Sequence, residues 1–203
     1  MNLPNKLTIA RMCAIPVVIV VSLLSVLQNV SRVVNVQLLI LLVVFALASI
    51  TDLLDGKIAR KYNLVTNFGK FMDPLADKLL VMATMIAMLE LGIFKAFGIS
   101  FGFVITIILA REFAVTGLRT LAADNGVVIA ASKLGKSKTV TQMAMIIYVL
   151  AINMVDINNN IGIAKDIITL VLVSLATIMT IVSGIDYFVK NVNVLKEKNN
   201  KEN

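Results

Sequence analysis

The chain has 203 residues, of which 59% are hydrophobic and only 15% are charged, and its mean hydropathy is +0.92. Soluble domains average about 25% charged residues and less than half apolar residues, so this composition indicates a protein that sits in lipid. The single cysteine and the lack of histidine exclude an internal disulfide and a His/Cys zinc site. Any metal site must therefore use oxygen ligands. The net charge of +7 suits anionic lipid headgroups, and nucleic acid is not an expected partner.

Six apolar stretches are long enough to cross a membrane, because a transmembrane helix needs about 20 residues. They lie at 7–28, 35–58, 74–93, 98–121, 139–156 and 162–188. The predicted fold is therefore all-α, a polytopic membrane protein with six transmembrane helices. One membrane domain is expected over residues 1–190, followed by a polar cytoplasmic tail over 191–203.

The distribution of basic residues predicts the orientation in the membrane. Three short connections on one side hold Arg32, Lys95 and Lys165, whereas the other sixteen Lys and Arg residues lie at or toward the opposite side. Because Lys and Arg collect in cytoplasmic loops, both termini and the two long loops are expected in the cytoplasm. The expected location is a cell membrane, in a bacterium.

Four aspartates flank the turn between the second and third spans: Asp52, Asp55, Asp73 and Asp77. Residues three or four apart share a helix face. The carboxylates of Asp52 and Asp55 therefore lie on one face of their helix, and those of Asp73 and Asp77 lie on one face of the next. Pro74 suits the first position of a helix, which predicts that Asp73 is its N-cap. A loop from 61 to 72 would fold the two helices back on each other, and the four carboxylates would then converge.

Four bare carboxylates repel one another and are costly near lipid. Two divalent cations would balance their charge, and oxygen ligands suit Mg²⁺, Mn²⁺ or Ca²⁺. Paired metals of this kind stabilise the attacking and leaving oxygens in phosphoryl transfer. Gly56 allows close approach of a ligand, and Arg60, about one turn further on, suits a diphosphate.

Two other interpretations of the aspartates compete with this one. They are helix caps and ion-pair partners of nearby cations, namely Lys57, Arg60, Lys70 and Lys78. Alternatively, they form the ion path of a cation transporter. A transporter would carry carboxylates at the membrane midplane on several spans, whereas these lie at cytoplasmic helix ends.

The spacing Asp-x2-Asp-Gly-x2-Ala-Arg-x8-Gly-x3-Asp-x3-Asp resembles the signature of the CDP-alcohol phosphatidyltransferase family. The fixed positions are Asp52, Asp55, Gly56, Ala59, Arg60, Gly69, Asp73 and Asp77. The resemblance implies a six-helix membrane enzyme that is a homodimer and depends on two Mg²⁺ or Mn²⁺ ions. It also implies that the four aspartates bind the metals and that Asp77 is the general base. Gly56, Ala59, Arg60 and Gly69 would contact the CDP group.

Basic residues beyond the signature are candidates for binding the acceptor. Arg111 and Arg119 in the fourth span lie about 80° apart around a helix, so both can line one cavity. The loop that follows adds Lys133, Lys136 and Lys138. Together these cations suit an acceptor phosphate. The alternatives are a structural pair between Arg111 and Glu112, and lysines that bind lipid headgroups non-specifically.

The segments around Arg111, Gly135 and the opening residues 3–11 resemble the branch of the family that uses glycerol 3-phosphate. That resemblance implies transfer from CDP-diacylglycerol to glycerol 3-phosphate, giving phosphatidylglycerophosphate and CMP. Asn5 and Thr8, with Arg11, either contact the nucleotide or serve as caps and interfacial anchors. The alternative is the same transfer chemistry with a different acceptor, namely phosphatidylglycerol, inositol phosphate or serine.

Overall fold

A computed structural model of the chain describes residues 3–24, 34–61, 67–127, 129–130, 132–154 and 162–192. This part of the chain forms six α-helices and one short β-hairpin. The helices are α1 (Leu3–Leu23), α2 (Val36–Lys61), α3 (Asn67–Glu90), α4 (Gly102–Asp124), α5 (Lys133–Met154) and α6 (Gly162–Lys190). The strands β1 (Lys95–Ala96) and β2 (Ile99–Ser100) lie between α3 and α4. The predicted all-α fold is confirmed, and each predicted span lies largely on one helix.

Two helices in the described part of the chain are long and apolar enough to cross a membrane. They are Asn5–Leu23, with a mean hydropathy of 1.9, and Gly162–Lys190, with 2.3. Val36–Asp52 is a shorter apolar helix. Helices α3, α4 and α5 each carry several charged residues, which lowers their hydropathy. A crossing by all six helices therefore remains a prediction.

The helices pack as two groups that meet at α2 and α5. Helix α1 lies against both α2 and α3, and α6 lies against both α4 and α5. The core between them is filled by apolar side chains that are completely buried, including Leu41, Phe45, Met85, Ile146 and Leu150. Large apolar side chains also face outward, as Leu47 and Ile86 do with 59% and 55% of their surface exposed.

The start of α3 differs from the prediction. Asp73 is not an N-cap, because α3 begins at Asn67 and Pro74 lies inside the helix. The predicted loop over 61–72 is thus helical from Asn67 onward, and residues 62–66 lie outside the described part. A proline inside a helix costs about 3 kcal/mol. The extensive packing of α3 on α1 offsets that cost.

The start of α5 differs as well. The lysines expected in a loop belong to the first two turns of α5, which begins at Lys133. Ser132 is the N-cap of α5, since its Oγ accepts a hydrogen bond from the backbone N–H of Gly135 at 3.0 Å. This cap was not predicted from the sequence. A serine at this position satisfies one of the free N–H groups at a helix start. The lysines therefore have positions fixed by the helix.

The β-hairpin lies at the opposite end of α3 from Asp73. Its turn contains Phe97 and Gly98 with positive φ angles of 50° and 76°. The backbone N–H of Phe97 donates to Asp166 Oδ2 at 3.0 Å, which ties the hairpin to the start of α6. The sequence predicted only a short connection here.

Candidate active site

The aspartates lie on two neighbouring helices. Asp52 is in the second half of α2, and Asp73 and Asp77 are one turn apart in the first half of α3. Asp52 lies close enough to both of them for like-charge repulsion. Asp52 is thus within electrostatic range of both carboxylates on α3, and convergence of the four aspartates on one metal site stays a prediction. Asp55 is on the last turns of α2, and its side chain lies outside the described residues.

Helix α1 supplies polar partners for two of these carboxylates. The Thr8 hydroxyl donates a hydrogen bond to Asp73 Oδ1, and Arg11 Nη1 lies 2.7 Å from Asp52 Oδ1. The Arg11 side chain is only 1% exposed whereas that of Asp52 is 30% exposed, so a buried cation is paired with a partly exposed carboxylate. Asn5 is buried one turn away from Thr8. Thr8 and Arg11 therefore contact the aspartates, and Asn5 lies one turn before Thr8 on the same helix.

The residues expected to bind CDP are only partly described. Gly56, Ala59 and Arg60 belong to the helical end of α2, and their side chains lie outside the described residues. Gly69 is buried in the first turn of α3. Their proposed contacts with the nucleotide remain predictions.

The donor chemistry of the aspartate cluster suits a divalent metal ion. Carboxylate oxygens are the ligands that Mg²⁺ and Mn²⁺ prefer, and the repulsion between Asp52 and Asp77 would be relieved by a cation. Among the described side chains, no three His, Cys, Asp or Glu residues converge closely enough to hold an ion. That set lacks Asp55, the fourth expected ligand.

A cavity of about 260 Å³ lies beside the aspartates, between α3, α4, α5 and α6. Five cationic side chains line it: Lys78, Arg111, Arg119, Lys136 and Lys138. Asp77 and Glu112 are the acidic groups in its wall. The cavity is therefore basic overall, and Asp77 belongs both to it and to the aspartate cluster.

The structure brings together most residues predicted to bind the acceptor phosphate. Arg111, Arg119, Lys136 and Lys138 all line this cavity, whereas the side chain of Lys133 lies outside the described residues. Lys78 was considered only as an ion-pair partner. Its position one residue after Asp77 did not predict this location, because neighbouring residues of a helix do not share a face.

Glu112 is the centre of an ion cluster that joins three helices. Its carboxylate pairs with Lys138 of α5, lies 3.0 Å from Arg111 Nη1 and lies 3.6 Å from Lys78 Nζ. The Glu112 side chain is 11% exposed. The structural Arg111–Glu112 pair, given above as the alternative to phosphate binding, is thus present. Arg111 also lines the cavity.

The sequence is similar to a known protein family over most of its length. The sequence model of the CDP-alcohol phosphatidyltransferases matches residues 1–188.

The chain belongs to the CDP-alcohol phosphatidyltransferase family.

Similar members of the CDP-alcohol phosphatidyltransferase family cover nearly the whole chain. A CDP-diacylglycerol–glycerol-3-phosphate 3-phosphatidyltransferase of Bacillus subtilis is 39% identical, over 98% of this chain and 99% of the relative. An enzyme with the same name from Rickettsia bellii is 41% identical, over 92% and 93%. A probable phosphatidylglycerophosphate synthase of Mycobacterium tuberculosis is 33% identical, over 92% and 79%.

The ion cluster around Glu112 predicts a test of stability. Glu112→Gln leaves buried cations without their counter-charge, so we expect it to lower the free energy of unfolding by about 3–5 kcal/mol. Adding Lys138→Met to that variant removes one uncompensated cation and should restore part of the loss. The measurement is denaturant unfolding of the detergent-solubilised protein.

Asp186→Asn is the matched control for this test. It breaks the within-helix pair with Lys190, whose side chain is 65% exposed while that of Asp186 is 20% exposed, so the loss should be about 1 kcal/mol or less. Lys138→Met alone completes the comparison. If the double variant Glu112→Gln/Lys138→Met loses the sum of the losses of Glu112→Gln and Lys138→Met, the two residues do not compensate each other.

Proposed function

We propose that this chain transfers the phosphatidyl group from CDP-diacylglycerol to glycerol 3-phosphate, giving phosphatidylglycerophosphate and CMP. The relatives named above carry this activity in their names. The observation that carries the proposal is the basic cavity that shares Asp77 with the aspartate cluster. An anionic acceptor in that cavity would lie next to the group needed to activate its hydroxyl.

The size and charge of the cavity support a small phosphorylated acceptor. Sites for drug-sized ligands enclose about 300–1,000 Å³, so the 260 Å³ here suits a molecule of a few carbons and one phosphate. A phosphate monoester carries about −1.5 to −2 charges, which the lysines and arginines can balance. A neutral acceptor such as serine would leave this positive charge uncompensated.

Asp77 is the proposed general base. Its carboxylate takes the proton from the acceptor hydroxyl, and that oxygen attacks the phosphorus that carries the diacylglycerol. One P–O bond forms to the acceptor, and the P–O bond to the CMP phosphate breaks. Arg60 would stabilise the charge that develops on the departing CMP.

Two divalent cations, Mg²⁺ or Mn²⁺, are proposed to complete the site. The ligands would be the four aspartates of the signature, Asp52, Asp55, Asp73 and Asp77. Bound there, the ions would supply positive charge against the diphosphate of the lipid donor. Arg11 and Thr8 would hold Asp52 and Asp73 in place.

We also propose that all six helices cross a cell membrane and that the active site faces the cytoplasm. The basic residues near the aspartate ends of the helices support that orientation. An apolar groove of about 370 Å³ between α3 and α4 adjoins the cavity at Lys78 and Glu112. It offers an acyl chain an apolar surface beside the reacting groups. A homodimer is proposed from the family resemblance alone.

The acceptor assignment predicts the behaviour of Lys136→Ala. Loss of one charge-assisted hydrogen bond costs about 1.5–3 kcal/mol, so the KM for glycerol 3-phosphate should rise roughly tenfold to a hundredfold. Steady-state assays with purified protein should compare kcat/KM for glycerol 3-phosphate with that for glycerol, and their ratio should fall. Lys95→Ala, on the hairpin, is the control. An equal loss with both acceptors would argue against an acceptor phosphate at this lysine.

The metal proposal predicts strict dependence on a divalent cation. Exhaustive chelation should abolish CMP release from CDP-diacylglycerol, and added Mg²⁺ or Mn²⁺ should restore it. Asp52→Asn removes an expected ligand, so it should raise the metal concentration that gives half-maximal activity. Full turnover after chelation would rule out the two-metal site.

The proposed base predicts the outcome of Asp77→Asn. An amide cannot accept the proton, so turnover should fall about a hundredfold or more while CDP-diacylglycerol still binds. Radiolabelled transfer and lipid-donor binding should be measured in parallel. Asp124→Asn, at the exposed end of α4, is the matched control. Near-normal turnover by Asp77→Asn would exclude Asp77 as the base.

A further inference from the structure

Helix α6 anchors both arginines of the acceptor cavity. Arg111 Nη2 donates to Ser183 Oγ at 2.6 Å, and Arg119 Nε donates to the Tyr187 hydroxyl at 2.7 Å. The Arg119 guanidinium also lies 5.4 Å from the centre of the Tyr187 ring, within range of a cation–π contact. Ser183 is completely buried and Tyr187 is 2% exposed, so both anchors are held firmly by packing.

The two arginines are farther apart along α4 than their anchors are along α6. Arg111 and Arg119 are eight residues apart on α4, so their backbone positions are about 12 Å apart along the helix axis. Ser183 and Tyr187 are four residues apart on α6, which is about 6 Å. Anchored in this way, both arginine side chains line one cavity.

Two glycines leave the room that Arg111 needs. A Cβ at Gly184 would lie 3.1 Å from Arg111 Cγ, closer than side-chain carbons normally approach. A Cβ at Gly135 would lie 3.9 Å from Arg111 Nη2 and 3.3 Å from Ser132 Oγ. The Arg111 side chain therefore runs between glycines of α5 and α6, and a larger residue at 184 would displace it.

The anchors leave donors available for a ligand. A guanidinium has five N–H donors in a rigid fork. Among the described residues, the hydrogen bond of Arg119 to Tyr187 uses only its Nε. The two terminal nitrogens of Arg119 are then free of protein acceptors in that set, which is the arrangement that binds phosphate oxygens in pairs.

We propose that Ser183, Gly184 and Tyr187 are positioning residues that give the enzyme its preference for a phosphorylated acceptor. Each lies against one of the arginines, and Tyr187 also lines the cavity. An arginine held in place loses less rotational freedom when a phosphate binds, which strengthens binding without any new contact. This inference rests on the proposed function, because it assigns the preference within that acceptor cavity.

Tyr187→Phe and Ser183→Ala test the inference, because each removes one acceptor atom and little volume. The KM for glycerol 3-phosphate should rise roughly tenfold in each variant, the effect of one hydrogen bond to a charged group, while kcat changes less. The ratio of kcat/KM for glycerol 3-phosphate to that for glycerol should fall by a similar factor. The KM for CDP-diacylglycerol reports on the donor half of the site and should stay within twofold.

Matched controls separate positioning from a general loss of a hydroxyl. Tyr148→Phe removes a hydroxyl that lies 3.5 Å from the Lys165 carbonyl oxygen, and Thr177→Ala removes one bonded within α6 to the Val173 carbonyl oxygen. Both should keep the wild-type acceptor ratio. Gly184→Ala should also lower the acceptor ratio, because the added Cβ displaces Arg111. If Gly184→Ala does not fold, Tyr187→Phe and Ser183→Ala still test the inference.

The outcomes distinguish this inference from the function on which it rests. An unchanged acceptor ratio in both Tyr187→Phe and Ser183→Ala, with active wild-type enzyme, overturns the positioning role alone. An equal loss with both acceptors also overturns it, because that marks a structural role. Failure of the wild-type enzyme to use glycerol 3-phosphate rejects the proposed function and this inference with it.

Discussion

Because an isolated charge between apolar helices costs several kcal/mol, the packing of this chain depends on polar pairs that cross from one helix to the next. Arg11 of α1 meets Asp52 of α2, and Thr8 of α1 meets Asp73 of α3. Lys138 of α5 meets Glu112 of α4. Each pair gives a charged group a polar partner on a neighbouring helix, so loss of either partner would leave a polar or charged group without its contact.

The site has two halves that differ in the sign of their charged side chains. The half on α1, α2 and α3 is rich in carboxylates and suits metal ions and the diphosphate of the donor. The half on α4, α5 and α6 is rich in cations and suits an acidic acceptor. Asp77 lines the basic cavity and lies within electrostatic range of Asp52, so the proposed base lies where the two proposed substrates would meet.

Much of this arrangement follows from local sequence signals. The lengths of the apolar runs predict the six helices, and the spacings of Asp52, Asp73 and Asp77 predict that they converge. The shared cavity of Arg111 and Arg119 follows from their separation of eight residues, because helical geometry relates position to direction. The signature residues Asp55, Gly56 and Arg60 remain predictions in their contacts, since their side chains lie outside the described residues.

Other features depend on contacts that local patterns do not contain. The partners Arg111 and Ser183 are 72 residues apart, and Arg119 and Tyr187 are 68 apart. Proline at position 74 favours a helix start by local rules, yet packing of α3 on α1 extends that helix to Asn67. Ser132 is a local signal for a helix start, but the lysines that follow it favour the prediction of a loop.

The anchoring of cavity arginines by α6 bears on how such enzymes diverge. The aspartates lie on α2 and α3, so a substitution on α6 leaves the groups of the transfer chemistry untouched. A change at Gly184 or Tyr187 would re-aim an arginine and thereby alter which acceptors are accepted. With the proposed roles, descendants of one ancestral enzyme could acquire new headgroup products through a few changes on the last helix, while the residues proposed for the lipid donor are inherited unchanged.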